Sequence, residues 1–289
     1  MIFKPFSLNI RGSLVEFDRP AVMGIVNVTP DSFYAASRTM DTESLQAKVA
    51  DMIAEGADII DLGGYSSRPG AAEVDPEEEL HRIAAGMKAI REIAPDIPVS
   101  IDTFRSRVAR TAVEEYGADI INDISGGMAD PEMDRTVADM HVPFIVMHMR
   151  GTPADMHLHT DYDDVTARVL EFLSRRTEQL RLLGVNDIIL DPGFGFAKTV
   201  EQNYELMNHL DLFTRLTGLP VLAGISRKSM LWRPLGITPD ESLEATTALN
   251  TIALMKGAAI LRVHDVKAAR QAVDVTCMTL NNPSTLPHA

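Results

Sequence analysis

The residues best suited to chemistry in this chain stand at the ends of short apolar runs. In chain order those ends are Asn27, Asp61, Asp102, Asn122, His148, Asp191, Ser226-Arg227-Lys228, Arg262 and His264. One polar residue at such a place can simply cap the helix that follows; a succession of them is harder to dismiss. They divide into two chemistries. Asp102, Asn122 and Asp191 offer an edge of donors and acceptors suited to a flat heterocycle with alternating N–H and C=O groups. Arg68, Lys228, Arg262 and His264 offer hydrogen bonds to phosphate or carboxylate that, when charge-assisted, are worth about 1.5–3 kcal/mol each. The bland alternative is that these acids and bases only neutralise one another at a buried rim. It leaves unexplained Gly63-Gly64-Tyr65-Ser66-Ser67-Arg68-Pro69-Gly70 and Gly193-Phe194-Gly195-Phe196, where glycine lets backbone approach a ligand closely.

Other chemistries compete. His157 and His159 have a metal-ligand spacing and His148 lies nearby, but the first two fall in a loop without an evident acid partner, which points to solvent exposure. Lys228 could form a Schiff base, with Arg227 and Arg262 favouring its neutral amine, yet aldol chemistry has no use for the anion-binding set. Met147, Met149 and Met207 read as core.

The elements that must position these residues alternate along the chain. The apolar runs are Val22–Val28, Asp58–Gly63, Val99–Thr103, Asp119–Ile124, Phe144–Met149, Asp187–Asp191, Val221–Ser226 and Ala259–His264. Between them lie helical stretches: Thr42 to Gly56, Pro76 to Ala94, Phe104 to Gly117, Pro131 to His141, Asp163 to Gly184, Val200 to Thr217, Pro239 to Gly257, and Asp265 onward. Pro76 and Pro239 mark helix starts, and Gly56, Gly117, Gly184 and Gly257 mark left-handed ends. Near-continuous apolar strands alternating with helices predict a parallel sheet covered on both faces. Eight such units suit an α/β fold closed as a single (β/α)8 TIM barrel better than an open sheet. Phe6–Ile10 and Leu14–Phe17 around Arg11-Gly12 read as an N-terminal β-hairpin plugging the barrel bottom. Residues 1–289 read as one domain: 1–20 the hairpin, 22–265 the barrel, 266–289 a last helix and tail.

Composition narrows the function. The 289 residues are 45% hydrophobic and 24% charged, with one cysteine and a formal charge of −14. That excludes a disulfide scaffold, and the acidic surface argues against general binding of nucleic acid or anionic membrane. No apolar run approaches the roughly 20 residues of a membrane span. The N-terminal residues lack a signal-peptide core, so a cytoplasmic protein is expected.

From Val22 to Asp265 the chain resembles the dihydropteroate synthases, folate-pathway transferases of the pterin-binding barrel family. The resemblance is carried by Met23-Gly-Ile-Val-Asn-Val-Thr-Pro-Asp-Ser-Phe33, Ser67-Arg68-Pro69-Gly70, Asp102-Thr103, Ile121-Asn122-Asp123, Met147-His-Met-Arg-Gly151, Asp191-Pro-Gly-Phe-Gly-Phe196 with Lys198, Ser226-Arg-Lys-Ser229 and Arg262-Val-His264. It implies a reaction joining 6-hydroxymethyl-7,8-dihydropterin diphosphate to p-aminobenzoate. It further implies that Asp102, Asn122, Asp191 and Lys228 hold the pterin, with Arg262 stacked on its face. Arg68, Arg262 and His264 would bind the diphosphate, and Asn27 would bind Mg²⁺. Ser67, Pro69, Phe196, Lys228 and Ser229 would shape the p-aminobenzoate site, with Ser67 also touching the pterin diphosphate. The catalytic set would be Asp102, Asp191, Lys228 and Arg262, acting in an SN1-like displacement with acids and bases on opposite sides of the mouth. A homodimer through the late helices would follow, with Leu243, Ala248, Leu249, Ile252 and Leu254 as its apolar face.

Two loops depart from the family pattern. Asp31-Ser-Phe-Tyr-Ala-Ala-Ser37 has Ala35 where an acid is usual, and Tyr65-Ser-Ser-Arg-Pro-Gly70 has Ser67 for threonine and Tyr65 for glutamate. The main rival is a corrinoid-dependent methyltetrahydrofolate methyltransferase, which shares the Asp/Asn/Asp set but needs no diphosphate cluster. A pterin-binding barrel without activity ranks third.

Overall fold

The computed structural model describes residues 3–28, 38–65 and 74–281. Its strands are β1 (Phe6–Ile10), β2 (Ser13–Phe17), β3 (Ala21–Asn27), β4 (Ile59–Gly63), β5 (Val99–Asp102), β6 (Ile120–Asp123), β7 (Phe144–Met147), β8 (Ile188–Asp191), β9 (Leu222–Ala223) and β10 (Ile260–Val263). Its helices are α1 (Arg38–Ala54), α2 (Pro76–Ile93), α3 (Ser106–Glu114), α4 (Met133–Met140), α5 (Val165–Leu182), α6 (Val200–Asn208), α7 (Asp211–Thr217), α8 (Ser229–Leu235), α9 (Leu243–Met255) and α10 (Val266–Asn281). The parallel strands run in the order β8-β7-β6-β5-β4-β3-β10-β9. A bridge between Leu190 and Val221 closes the ring, with Leu190 N–H donating to Pro220 O at 3.0 Å. The expected (β/α)8 barrel is what forms.

Strand alternation explains the interior. Met23, Ile59, Ile120, Ile145, Ile189, Leu222 and Ile260 form one buried cluster at the lower end of the barrel. Each such aliphatic side chain is worth about 1.5–3 kcal/mol when fully buried. Two residues further along, the same faces carry Ile25, Asp61, Asn122, Met147, Asp191, Gly224 and Arg262, because side chains alternate with period two. The intervening Ile60, Ile121, Val146, Leu190 and Leu261 belong to the other cluster, packed against the helices. The polar mouth is thus the next layer above an apolar plug.

The hairpin completes the plug. Leu8 and Ile10 join the lower cluster, and Arg11 (φ 51°) and Gly12 (φ 77°) form the left-handed pair that a two-residue turn requires. From that turn Arg11 reaches across to Asp119, donating from Nε at 2.6 Å and Nη2 at 3.0 Å.

Helix boundaries show where local signals hold. Asp75 caps α2 by accepting from Glu77 N–H at 2.9 Å with Pro76 in the first turn, and Gly56, Gly117, Gly184 and Gly257 all have positive φ. Pro239 does not start a helix. It lies in a turn whose carbonyl accepts from Ser242 Oγ at 2.6 Å, and α9 begins only at Leu243. The single helix expected over Val200–Thr217 is two, broken between Asn208 and Asp211 without glycine or proline. The seventh barrel strand shrinks to Leu222–Ala223, and α8 forms outside the helical stretches read from the sequence, with Pro234 inside it. No described helix is long and apolar enough to cross a membrane.

Candidate active site

The upper interior layer gathers its charges around Arg262. From β10 this guanidinium donates through Nε to Asp61 Oδ2 at 2.6 Å and through Nη2 to Asp102 Oδ2 at 2.7 Å. Asn122 Nδ2 donates to the Asp61 carboxylate at 3.4 Å. Asp61 is fully buried and Asn122 nearly so. Register makes these neighbours: Gly63 pairs with Asp102, and Asp102 with Asn122, across β4, β5 and β6. The expected separation of acids from bases is therefore corrected. Arg262 lies between two carboxylates, because leaving either unpaired in this enclosed layer would cost several kcal/mol.

That arrangement sets the titration. Burial pushes Asp102 up to about 7; Arg262 pulls it down, and Asp61, Glu79 and Asp123 push it up again. Burial works against the charge of Arg262, but Asp61 and Asp102 outweigh it and the guanidinium is held above its ordinary value. Among the described residues Arg262 Nη1 has no hydrogen-bond partner, which leaves one face of the guanidinium for a ligand.

Asp191 and Lys228 form the second half of the mouth. Asp191 Oδ1 accepts from Gly193 N–H at 2.7 Å, and both Asp191 Oδ2 and Lys228 Nζ stand 3.8 Å from where a Cβ on Gly224 would be. Glycine at 224 keeps that space open. Burial raises Asp191, with Lys228 the largest opposing influence. Burial lowers Lys228 to about 8 despite Asp191. Lys228 Nζ also donates to Phe194 O and lies 4.6 Å from the centre of the Phe196 ring. Ser229 follows as the first residue of α8.

His264 is placed at the mouth but not as a cation. Burial, then Arg262 and Arg227, lower it to about 4. Ser226 Oγ accepts from His264 N–H at 3.2 Å and meets His264 Nδ1 at 3.1 Å. In the tautomer in which that hydroxyl donates to Nδ1, the neutral ring carries its proton on Nε2 as a donor. Arg227 is drawn away, held bidentate by Asp265 at 3.0 and 2.7 Å.

Asn27 ends β3 exposed, its Oδ1 3.1 Å from where a Cβ on Gly63 would stand. Among the described residues no three His, Cys, Asp or Glu side chains form a metal-binding group. A lone carboxamide oxygen at an open rim suits a Mg²⁺ that keeps waters and takes its other oxygens from a diphosphate. Ser67, Arg68 and Pro69, with Asp31 and Ala35, lie outside the described residues.

Three residues gain parts that the sequence did not assign. Asp61, a strand-end acid given no role, is the hub of the Arg262 cluster. Lys198 and His148 meet beneath the 193–196 turn, Nζ to Nδ1 at 3.1 Å. Burial, then Lys198 and Arg150, lower His148 to about 2, and burial lowers Lys198 to about 7. Alternation from Ile59 could have flagged Asp61. His159 is not without an acid: Asp155 lies 3.4 Å from its Nε2.

Comparison with known proteins agrees with this geometry. Residues 23–264 match the sequence profile described as pterin binding enzyme. A dihydropteroate synthase of Synechocystis sp. is 45% identical over 262 residues, 89% of each chain. Among solved structures, a Xanthomonas albilineans dihydropteroate synthase with 4-aminobenzoic acid superposes with a TM-score of 0.86 at 38% identity, covering 96% of this chain and 99% of that one. One from the same organism in complex with 7,8-dihydropteroate gives 0.83 at 35%, covering 96% and 99%. The corrinoid methyltransferase reading finds no support among them. Matched by that profile over most of its length and by relatives at this identity, the chain belongs to the pterin-binding enzyme family, among its dihydropteroate synthases.

Proposed function

We propose that the chain condenses 6-hydroxymethyl-7,8-dihydropterin diphosphate with p-aminobenzoate, giving 7,8-dihydropteroate and pyrophosphate, by a dissociative displacement at the barrel mouth. One observation carries the mechanism. Two buried carboxylates, Asp61 and Asp191, and the part-buried Asp102 face a space bordered by Arg262 and Lys228. Breaking the C–O bond to diphosphate leaves positive charge on a methylene that the pterin ring delocalises. Asp102 and Asp191 stabilise that cation while Asn122 and Lys228 bond the ring edge. Arg262, through the Nη1 that has no partner among the described residues, and His264, through its ring, meet the departing diphosphate, with Arg68 adding a further cation. The aromatic amine is neutral near pH 7 and attacks the methylene unaided, losing its proton after the C–N bond forms. Phe196, Lys228 and Ser229, with Ser67 and Pro69, border p-aminobenzoate.

Mg²⁺ fits beside Asn27, where it would neutralise charge on the leaving diphosphate. A homodimer is supported by exposed Ile252 and Met255 on α9 and Val275 and Met278 on α10, whereas Leu249 and Leu254 of the expected face are buried in the core. The lone Cys277 fits a reducing cytoplasm, and the chain works as one domain. Incubation with the pterin diphosphate, p-aminobenzoate and Mg²⁺ should release pyrophosphate only when both organic substrates are present. No release, or release independent of p-aminobenzoate, would refute the reading.

A further inference from the structure

Lys198 is buried in the mouth, yet the reaction above gives it nothing to do. Its side chain is 9% exposed, and its ammonium donates to the carbonyls of Gly193 at 2.9 Å and Phe196 at 3.0 Å and meets His148 Nδ1 at 3.1 Å. Three acceptors match the three donors of an ammonium. One cation thereby ties both ends of the 193–196 turn.

The turn needs such a tie. Gly193 (φ 71°) and Gly195 (φ 78°) are left-handed, and so is Ala197 (φ 48°), which carries a Cβ. A left-handed alanine costs about 1–2 kcal/mol, so neighbouring bonds must hold it. His148 supplies the anchor. Its N–H donates to Asp191 O at 3.0 Å, and its ring is wedged edge-on against Phe172 with centroids 5.1 Å apart. Its carbonyl lies so close to Gly193 that any Cβ there would collide with it.

We propose that Lys198, anchored by His148, is a positioning residue for the second substrate, fixing the 193–196 turn and thereby the Phe196 ring. This rests on the reading above, in which Phe196 borders p-aminobenzoate. The effect falls first on that substrate: Asp102, Asn122 and Arg262 stand on three other strands and share no bond with the turn, while Asp191 and Lys228 touch it only through Gly193 N–H and Phe194 O.

The test compares Lys198→Met, His148→Leu and His148→Asn with wild type. Lys198→Met should raise KM for p-aminobenzoate between about tenfold and a hundredfold, the scale of an ångström-sized misplacement. The Kd for the pterin diphosphate, titrated without p-aminobenzoate, should stay within about threefold, because four of its proposed contacts lie outside the turn. His148→Leu should act in the same direction. His148→Asn, whose Oδ1 can accept where Nδ1 does, should restore KM toward wild type. An unchanged KM in Lys198→Met, pterin affinity falling in parallel with it, or His148→Asn as poor as His148→Leu would each overturn the proposal. If Lys198→Met fails to fold, the two His148 variants decide. A wild type that makes no dihydropteroate sinks the functional reading. One that turns over beside an indifferent Lys198→Met sinks only the positioning role.

Discussion

Replacing Asp61 with asparagine should move the acid limb of kcat/KM for the pterin diphosphate to lower pH by about one to two units. In the wild type Asp102 is pushed up to about 7, first by burial, with Asp61 adding to the push and Arg262 opposing it. Both carboxylates lie within 2.7 Å of the same Arg262 nitrogen, so their nearest oxygens are at most about 5 Å apart. At that distance and an effective dielectric of about 20, their repulsion is about 3 kcal/mol. That corresponds to roughly two pK units, and solvent entering beside the new amide reduces it. Asparagine keeps an oxygen for Arg262 Nε, so the guanidinium stays in place and faces one carboxylate. The reaction needs Asp102 ionised, so wild-type activity should fall as pH drops through about 7, while Asp61→Asn persists to lower pH.

Stability gives an independent reading. A carboxyl raised in the fold binds an extra proton between the ordinary carboxylate range and about 7, so the wild type loses stability as pH rises through that window. Asp61→Asn should flatten this dependence, seen as a smaller Tm difference between pH 5 and pH 8. Pyrophosphate release at saturating p-aminobenzoate from pH 5 to 9 measures the limb, and substrate ionisation, common to both enzymes, cancels. Coincident acid limbs, or a limb displaced upward in the variant, would refute the coupling.

Asp191→Asn should lower kcat by about a hundredfold or more while KM for p-aminobenzoate changes little; an unchanged kcat would remove its cation-stabilising role. Arg262→Ala should abolish pterin diphosphate binding in isothermal titration and lower Tm, since Asp61 and Asp102 lose the counter-charge between them. EDTA should suppress pyrophosphate release without shifting the Tm of the ligand-free protein, because among the described residues no carboxylate cluster stands beside Asn27; a large Tm drop would point to a resident structural metal. Ala197→Gly should stabilise the fold by about 0.5–1 kcal/mol, as relief of left-handed strain outweighs the extra entropy of unfolded glycine. Denaturant unfolding of both proteins decides its sign.

The amino-acid sequence by itself determined the eight-unit barrel and the side chains at its mouth. Both follow from short-range rules: alternation along strands that sets Asp61 two residues beyond Ile59 and Asp191 beyond Ile189, and glycine caps at Gly56, Gly117, Gly184 and Gly257. Local rules failed where nothing local marked the outcome. The break between α6 and α7 lacks glycine or proline, and α8 forms around Pro234 because tertiary packing overrides propensity. Only the tertiary structure decided which charges share a bond. Arg262 meets Asp61 and Asp102 across 201 and 160 residues, and Lys198 meets His148 across 50. Those partnerships exist because barrel closure brings strands distant in sequence into register. Buried charges then pair with whatever the enclosed layer supplies, so Arg262 sits among the acids rather than opposite them.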